Sequence, residues 1–457
     1  MEKYDVLVVG SGSGVTIASN AVASGLRVAL VEHGPMGGTC LNRGCIPSKM
    51  LIYPADMIAM IEEAKGLGID ATINAISFET IKQRMHHLVT EDSQRQGMAV
   101  EASPRIKWFN ETGEFVADYT MKLGNQIVKG EKVFIVSGAR PGVPSIKGID
   151  EVDYLTNDTL IELDAAPKVM VIIGGGYIAA EYGHFFASIG ANVTIIQRNP
   201  KLVPEEEPEI SDLLKQEMEK RMSIFTNHEV VEVGEKDGVK TVIAQNRESG
   251  ESKEFSSESL LVAAGRVPNS DLLKPEKTGV EMDERGYVKV NEYLETSKKN
   301  IWAFGDAIGK EMFKHVANYE ANIAWHNSVH DHKVRVNYSA APHAVFSHPQ
   351  IASVGLTETK AREQGYKIWV GKEYFKDTAK GAAMGNPEGF VKVIVEQGTG
   401  KILGGHIIGP FAPILIQEVV NAMNAKENSF MNITRSMHIH PAAPEVVQRA
   451  FGNLREA

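Results

Sequence analysis

The chain lacks the features that place a protein in a membrane, on nucleic acid or outside the cell. It contains no run of about eighteen apolar residues, so no membrane-spanning helix is expected. A formal net charge of -10, with no Lys/Arg block interleaved with aromatic residues, argues against a nucleic-acid partner. The first residues lead directly into an apolar run without the charged start and cleavage site of a secretory leader, so we expect a cytoplasmic protein.

Cysteine is scarce, and its placement is informative. The chain has 2 cysteines, Cys40 and Cys45. A disulfide-stapled secreted scaffold uses many more, whereas one close pair indicates redox or metal chemistry. A zinc site would need further ligands, and His33 is the single histidine nearby in sequence, so no metal is expected at this pair. Two buried, reduced cysteines are the alternative, but the glycines around them, including Gly44, favour a turn rather than a core segment.

A glycine loop near the amino terminus predicts a dinucleotide site. Gly10 and Gly12 follow an apolar strand and precede a helix, which lets the backbone approach a pyrophosphate. Glu32 closes the next strand about twenty residues later, where a carboxylate accepts hydrogen bonds from ribose hydroxyls. The dinucleotide-binding motif G-x-G-x-x-G has glycine at its sixth position, where this chain has Val15. The neighbouring Gly14 is the candidate to replace that glycine.

The same pattern returns near residue 174, so the chain carries two such units. The second loop fits the form with alanine in third place, through Gly174, Gly176 and Ala179. At the end of the following strand stand Gln197 and Arg198, where an acidic residue would mark NADH. Arg198 and Lys201 could pair with the 2′-phosphate of NADPH, so NADPH is favoured over NADH. The alternative interpretation is that both are solvated basic residues at a turn, with no role in cofactor binding.

The segment after the cysteines predicts a helix whose first turn bears on Cys45. Pro47 suits a first helical turn because its missing amide hydrogen would be unpaired there. The helix dipole then favours the thiolate of Cys45 that redox exchange needs. Lys49, four residues on, lies on the same helix face.

The stretch from Gly37 to Lys49, GGTCLNRGCIPSK, resembles the redox motif of the class I pyridine nucleotide-disulfide oxidoreductases, the group containing dihydrolipoyl dehydrogenase, glutathione reductase and mycothione reductase. The resemblance covers essentially the whole chain, including segments 174–181, 303–306, 354–358 and 440–441 and the segment 265–269, which we expect to form a turn.

This resemblance implies an α/β fold with two Rossmann-like dinucleotide-binding domains, for FAD and NAD(P)H, and a C-terminal α+β dimerisation domain. The expected bounds are 1–145 for the FAD-binding domain, 146–268 for the NAD(P)H-binding domain, 269–336 for a return to the FAD-binding domain, and 337–457 for the dimerisation domain.

The resemblance also implies residue roles. Cys45 would be the thiol in charge-transfer contact with the flavin, Cys40 the interchange thiol, and Lys49 would pair with Glu181 beside the flavin. Glu32 would hold the adenosine ribose of FAD, and Asp306 the ribityl chain or pyrophosphate. The expected cofactor-binding residues are Gly10, Gly12, Gly14, Glu32, Gly38, Thr39, Gly138, Gly305 and Asp306 for FAD, with Gly174, Gly176, Tyr177, Ala179, Gln197, Arg198, Lys201, Gly265 and Arg266 for NAD(P)H.

A histidine near the carboxyl end is the expected acid-base catalyst. Thiolate release and capture need a group that titrates near neutrality. The resemblance assigns that role to His440, oriented by Glu445 and reaching the active site of the partner subunit in an obligate homodimer. His438 is interpreted as a structural or exposed histidine.

Substrate identity is the least determined feature. We expect an NADPH-driven reductase of a small disulfide, of mycothione or glutathione type, with dihydrolipoyl dehydrogenase as the second possibility. Tyr177 resembles the gating tyrosine of glutathione reductase, and Arg43 stands where the family usually has a small apolar residue. Mercuric reductase is disfavoured because the chain has no carboxyl-terminal cysteine pair. A non-catalytic nucleotide-binding protein is the remote alternative.

Overall fold

The computed structural model describes residues 1–456 and begins with a mostly parallel sheet that has an antiparallel edge. Its first part contains β1 (Glu2–Val9), α1 (Gly14–Ala23), β2 (Val28–Val31), α2 (Gly38–Asn42), α3 (Cys45–Ala64), α4 (Phe78–Glu101), β3 (Ile106–Phe109), β4 (Gly113–Ala117), β5 (Thr120–Leu123), β6 (Gln126–Ile135) and β7 (Ala139–Pro141). The strand order is β3-β2-β1-β6-β5-β4, with β1 parallel to both β2 and β6. Val6 and Leu7, which point to opposite faces of β1, are both fully buried, as expected for a strand covered on both faces.

The second part repeats this design on a smaller scale. It contains β8 (Val169–Ile173), α5 (Tyr177–Ser188), β9 (Asn192–Gln197), α6 (Pro208–Met218), β10 (Ser223–Thr226), β11 (His228–Lys236), β12 (Val239–Asn246), β13 (Ser252–Ser257), β14 (Ser259–Val262), β15 (Arg266–Pro268) and α7 (Ser270–Leu273). The parallel sheet has the order β10-β9-β8-β14, and β11, β12 and β13 form an antiparallel sheet beside it.

The third part returns to the first sheet and then builds an antiparallel one. It contains β16 (Ile301–Ala303), α8 (Lys314–Val329), β17 (Pro342–Val345), β18 (Ile351–Gly355), α9 (Glu358–Glu363), β19 (Ile368–Tyr374), α10 (Ala379–Ala383), β20 (Phe390–Glu396), β21 (Ile402–Ile408), α11 (Ala412–Asn424), α12 (Met431–Thr434), α13 (Glu445–Gly452) and β22 (Arg455–Glu456). Strand β16 pairs with β6 of the first sheet. The last sheet has the order β17-β18-β21-β20-β19-β22.

One local expectation differs from the structure. The segment 265–269, expected as a turn, contains β15, which pairs antiparallel with β7. The residues of β15 were too few to show an alternating pattern, and the strand depends on a partner more than a hundred residues away. This short ribbon joins the first part of the chain to the end of the second. The domain bounds given above stay a prediction.

Helices α3 and α5 pack against each other and connect the two parallel sheets. Helix α3 begins at Cys45, and α5 begins just after the second glycine loop. No helix among residues 1–456 is long and apolar enough to cross a membrane.

Candidate active site

A cavity of about 1050 Å³ lies where the first parallel sheet, α3, α5 and α8 meet. Many of the residues singled out from the sequence line it together: Gly10, Gly12, Glu32, Gly38, Thr39, Cys40, Cys45, Lys49, Gly138, Tyr177, Glu181, Arg266, Gly305 and Asp306. The cavity thus joins the first glycine loop to the cysteine pair. Its size suits a cofactor larger than a simple substrate.

The two cysteines are reduced and lie in mutual contact at this cavity. Cys40 belongs to α2, and Cys45 is the first residue of α3. A hydrogen bond from the Cys40 thiol lowers the pKa of Cys45 to about 7 against the effect of burial, and the Lys49 ammonium adds to the lowering. The same hydrogen bond, together with burial, raises the pKa of Cys40. Cys45 therefore ionises near neutral pH, and above that pH the pair holds one proton, with Cys45 as the thiolate.

Lys49 and Glu181 form an ion pair beside Cys45. The Lys49 Nζ atom lies 2.7 Å from Glu181 Oε2, and the Glu181 side chain is 5% exposed. The second carboxylate oxygen accepts a hydrogen bond of 3.0 Å from the Phe346 amide. The Lys49 ammonium also lies 4.5 Å from the centre of the Phe346 ring. Three separate chain segments therefore fix a positive charge next to the thiolate.

Replacing Lys49 by methionine is expected to raise the pKa of Cys45, because the thiolate loses a nearby positive charge and faces an unpaired Glu181. The rate of Cys45 alkylation by iodoacetamide in the reduced enzyme, measured against pH by peptide mapping, should have its midpoint near 7 in the wild type and about one pH unit higher in the variant. Lys49→Arg keeps the charge and should keep the midpoint. An unmoved midpoint in the methionine variant would show that Lys49 does not act on Cys45.

The first glycine loop is shaped by close backbone contacts on one side and open space on the other. Gly10 has φ +109°, and a Cβ there would lie 2.2 Å from the Val136 carbonyl oxygen. At Gly12 and Gly138, a Cβ would meet no atom within 4 Å. Side chains at these two positions would therefore fill space that a ligand could occupy. Gly14 lies outside the cavity lining and instead lets α1 pack closely on β1.

Glu32 is held rigidly at the cavity edge. Its Oε2 accepts hydrogen bonds from the Ser11 amide at 2.9 Å and the Ser11 hydroxyl at 2.8 Å. Its Oε1 accepts from the Gly34 amide at 2.9 Å. The fixed carboxylate presents acceptors of the kind that a ribose diol needs.

Arg266 and Asp306 lie at the same cavity, joined by an Nε to Oδ2 distance of 3.5 Å. Burial raises the pKa of Asp306, and the Arg266 guanidinium opposes this rise. The Arg266 side chain is 8% exposed, and its Nε has no hydrogen-bond partner within residues 1–456. A buried donor without a partner costs about 1–3 kcal/mol, so this end of the cavity fits a ligand that carries acceptors.

The second glycine loop reproduces the backbone contacts of the first. Gly174 has φ +114°, and a Cβ there would lie 2.2 Å from the Ala263 carbonyl oxygen. At Gly176 and Gly265 a Cβ would meet open space, and Ala179 is fully buried under the loop. The loop therefore has the close turn and the open side that a pyrophosphate-binding loop requires.

The strand end after the second loop carries the residues expected to select the nicotinamide cofactor. Gln197 is 5% exposed, and a Cβ on Gly175 would lie 2.7 Å from its Cβ, so it is a packing residue as well as a candidate ligand. Lys201 is already paired with Asp212 at 2.5 Å. Arg198 is exposed and forms no ion pair within the described part of the chain. Arg198 is thus the cation free to meet a phosphate.

His440 and Glu445 form a hydrogen-bonded pair near the carboxyl end. The His440 Nδ1 atom lies 2.8 Å from Glu445 Oε1, and Glu445 Oε2 accepts from the Ala442 amide at 3.0 Å. The bond to His440 lowers the pKa of Glu445. The His440 side chain is 67% exposed, and neither residue lines the cavity of its own chain. His438 is bonded to Glu418 at 2.6 Å and only 7% exposed, in accord with a structural role.

Sequence reasoning missed Lys314, the first residue of α8. Its Nζ lies 3.0 Å from the Ser13 hydroxyl in the first glycine loop, and it lines the cavity. Burial lowers the pKa of Lys314, while Cys40 and Cys45 oppose this effect through their charge. A cation in the first turn of a helix is electrostatically unfavourable. This unfavourable placement of a lysine was the one signal in the sequence that could have identified Lys314 as a candidate site residue.

A cavity that joins a dinucleotide-type glycine loop to a low-pKa thiolate defines a redox protein that works through sulfur. The chain belongs to the pyridine nucleotide-disulfide oxidoreductases. The family model described as pyridine nucleotide-disulphide oxidoreductase matches residues 4–321, and the model of its dimerisation domain matches residues 341–451.

Relatives support this placement over the full chain. The chain is 35% identical to mycothione reductase of Mycobacterium tuberculosis over 100% of both chains, and 33% identical to dihydrolipoyl dehydrogenase of Synechocystis sp. over 98% of both. Its fold matches a solved structure of the HOCl-induced flavoprotein disulfide reductase RclA from Escherichia coli with a TM-score of 0.88, 28% identity and 99% coverage of each chain.

These comparisons confirm the family, the α/β fold with a C-terminal dimerisation domain, and an oxidoreductase acting on sulfur groups. The family is FAD-dependent and uses a pyridine nucleotide. The open glycine loop, the fixed Glu32 carboxylate and the unpartnered Arg266 donor fit such a cofactor in the cavity.

Proposed function

We propose that this chain is an NADPH-dependent reductase of a low-molecular-weight disulfide, with electrons passing through FAD and the Cys40–Cys45 pair. The observation that carries the proposal is the low-pKa Cys45 thiolate, paired with a protonated Cys40, on the wall of the cofactor-sized cavity. A non-catalytic nucleotide-binding protein would have no use for this pair or for the partly buried Lys49–Glu181 bridge.

The sulfur chemistry divides between the two cysteines. Cys40, after giving up its proton, attacks one sulfur of the substrate disulfide, which breaks the S–S bond and releases the first thiolate. Cys45 then attacks the Cys40 sulfur of this mixed disulfide, which releases the second thiolate and leaves a Cys40–Cys45 disulfide. The substrate gains two electrons from the dithiol, and of the two protons on the product thiols one comes from Cys40 and the other from solvent through an acid-base group. Bound FAD supplies the two-electron transfer from nicotinamide that restores the dithiol.

The residues of the two glycine loops would bind the cofactors in the roles that the family resemblance implies. We assign Glu32 to the adenosine ribose of FAD and Asp306 to its ribityl or pyrophosphate region. The backbone around Gly10 and Gly38 approaches the phosphates, where the amides that begin α1 favour negative charge. Arg43, whose Nη1 lies 3.8 Å from Asp158, is half-exposed on the same cavity and is available to an anionic group.

We assign His440 to proton transfer, acting in the cavity of the partner subunit. Three observations support the assignment: the His440–Glu445 bond orients the ring, the ring is exposed, and the pair does not line its own chain's cavity. The pair also lies within the segment that matches the dimerisation model. The proposed enzyme is therefore an obligate homodimer.

Removing the exposed cation after the second glycine loop is expected to weaken selection for NADPH. Arg198→Ala should lower kcat/KM for NADPH about tenfold and leave that for NADH nearly unchanged, since only NADPH carries the 2′-phosphate. Steady-state kinetics with both cofactors would check this. Lys236→Ala, which removes an exposed lysine from β11, is the matched control and should change neither value. An equal loss with both cofactors would count against the phosphate contact.

The second candidate function is that of a dihydrolipoyl dehydrogenase, favoured by the Ile46–Lys49 segment and by the 33% identity to the Synechocystis enzyme. A direct comparison separates the two. Purified enzyme should be assayed with NADPH and NADH against mycothione, glutathione disulfide and lipoamide in parallel. Turnover of mycothione or glutathione disulfide with NADPH supports the proposal, whereas activity confined to NADH with lipoamide rejects it.

A further inference from the structure

A second group of metal-ligating side chains lies away from the redox cavity. It consists of Asp56 and Glu63 on α3, His184 on α5, and His348 in the loop before β18, which we call the imidazole cluster. None of the four lines the redox cavity. The cluster brings together all three parts of the chain.

The ligand atoms converge closely enough for one ion. One ligand atom from each of Asp56, His184 and His348 lies within 4.8 Å of the other two. Around a tetrahedral zinc ion with bonds of about 2.0–2.2 Å, such atoms are about 3.4 Å apart. Asp56 Oδ1 and His184 Nε2 already lie 3.0 Å apart, so an approach of His348 by at most about 1.4 Å would complete the site. The partial exposure of Asp56 and His348, at 22% and 30%, leaves room for this adjustment and for entry of the ion.

The two imidazoles are already oriented by neighbours that could support metal binding. His184 is 2% exposed, with its Nε2 3.0 Å from Asp56 Oδ1 and its Nδ1 3.3 Å from the Ser188 hydroxyl. The His348 Nε2 lies 2.6 Å from Glu63 Oε1, and the two rings stack 5.5 Å apart. A metal-bound histidine usually donates its other ring N–H to an oxygen acceptor, which fixes the ring, and Ser188 and Glu63 offer such acceptors here.

The local charge favours a divalent cation. Asp56 contacts the His184 ring and Glu63 contacts the His348 ring. The Arg221 guanidinium lies close by, 3.3 Å from the Ser188 hydroxyl, and its charge is offset by Glu62, with which it pairs at 2.6 Å. With neutral imidazoles, negative charge exceeds positive charge at the cluster. Two imidazoles and a carboxylate, with a fourth position open to water, suit zinc and related first-row ions.

We propose that Asp56, His184 and His348 bind one divalent transition-metal ion of the zinc class, which ties α3 and α5 to the loop before β18. Glu63 supports the site by holding the His348 ring. The same three segments hold the ion pair beside Cys45, because His184 lies one turn after Glu181 and His348 lies two residues after Phe346. The metal is a structural tie and takes no part in electron transfer.

The test uses full-length, flavin-loaded enzyme with its cysteine pair oxidised, so that free thiols do not take the metal. Equilibrium dialysis against Zn²⁺ with elemental analysis should give one ion per chain, and Co²⁺ should show visible absorption of a four-coordinate site. His348→Gln should weaken binding at least about a hundredfold. Zinc should raise the Tm of the wild type but not of the variant.

A matched control and a second variant keep the outcome decisive. The control is His330→Gln, which alters a different stacked histidine pair. The His330 and His326 ring centres are 4.4 Å apart, and among the described residues neither ring forms an ion pair with a carboxylate. This variant should bind zinc like the wild type. Asp56→Asn preserves volume and should lose binding like His348→Gln, with flavin absorbance reporting the fold. Wild-type protein that binds no zinc at micromolar concentration, or equal binding by wild type and His348→Gln, overturns the proposal.

Discussion

Cys45→Ser is expected to abolish both disulfide reduction and the long-wavelength charge-transfer absorption of the reduced enzyme. The structure makes Cys45 the thiolate of the pair, since its pKa is lowered to about 7 while that of Cys40 is raised. Serine cannot supply a thiolate at neutral pH, so turnover should fall by about a thousandfold or more. Anaerobic titration with NADPH, followed by absorbance, and a steady-state assay measure the two effects.

Cys40→Ser is the matched variant, because it removes the other sulfur of the same pair. It should lose turnover to a similar extent, since the mixed disulfide can no longer form on Cys40. It should keep the long-wavelength absorption, although loss of the Cys40 hydrogen bond raises the pKa of Cys45, so that the absorption needs a higher pH. The absorption persisting in Cys45→Ser and vanishing in Cys40→Ser would reverse the assignment of the two sulfurs.

The features of the candidate site that a sequence motif can identify are those fixed by local backbone requirements. Gly10 and Gly174 each have a positive φ and face a carbonyl oxygen at a distance that no side chain tolerates, so glycine marks both loops. Cys40 and Cys45 are likewise held by one turn between α2 and α3. A short sequence motif is enough to predict such features, because each depends on residues that are close together in the chain.

The parts that sequence left out depend on contacts between distant segments. Lys314 reaches the first glycine loop from about three hundred residues away, and Phe346 closes over the Lys49–Glu181 bridge from β17 and its following loop. Neither residue belongs to a motif, so spacing could not reveal it. Lys201 shows the opposite difficulty. The sequence pattern predicts that it binds a cofactor phosphate, but in the structure its ammonium group is already paired with Asp212.

Replacing His440 by glutamine is expected to slow turnover by about a hundredfold to ten-thousandfold, the usual worth of a positioned acid-base group. The loss should be greatest at the step that protonates the leaving thiolate, so reduction of the enzyme by NADPH should stay fast in stopped-flow measurements. Glu445→Gln should cause a smaller loss, because the ring stays in place but loses the carboxylate that orients it. His438→Gln is the neighbouring control and should keep most of the activity, since that ring is bonded to Glu418 instead.

A mixed dimer decides which subunit supplies the histidine. Homodimers of Cys45→Ser and of His440→Gln should each keep at most about a hundredth of the wild-type activity. A heterodimer of the two variants, purified through two affinity tags, carries both intact residues in opposite chains. If His440 serves the partner's cavity, one of the two sites in this heterodimer combines an unaltered Cys45 with an unaltered His440, and about half of the wild-type activity returns. If His440 served its own chain, both sites would hold one defect each, and the heterodimer would stay inactive. Recovery of activity follows from the geometry because the exposed His440–Glu445 pair lies outside its own chain's cavity.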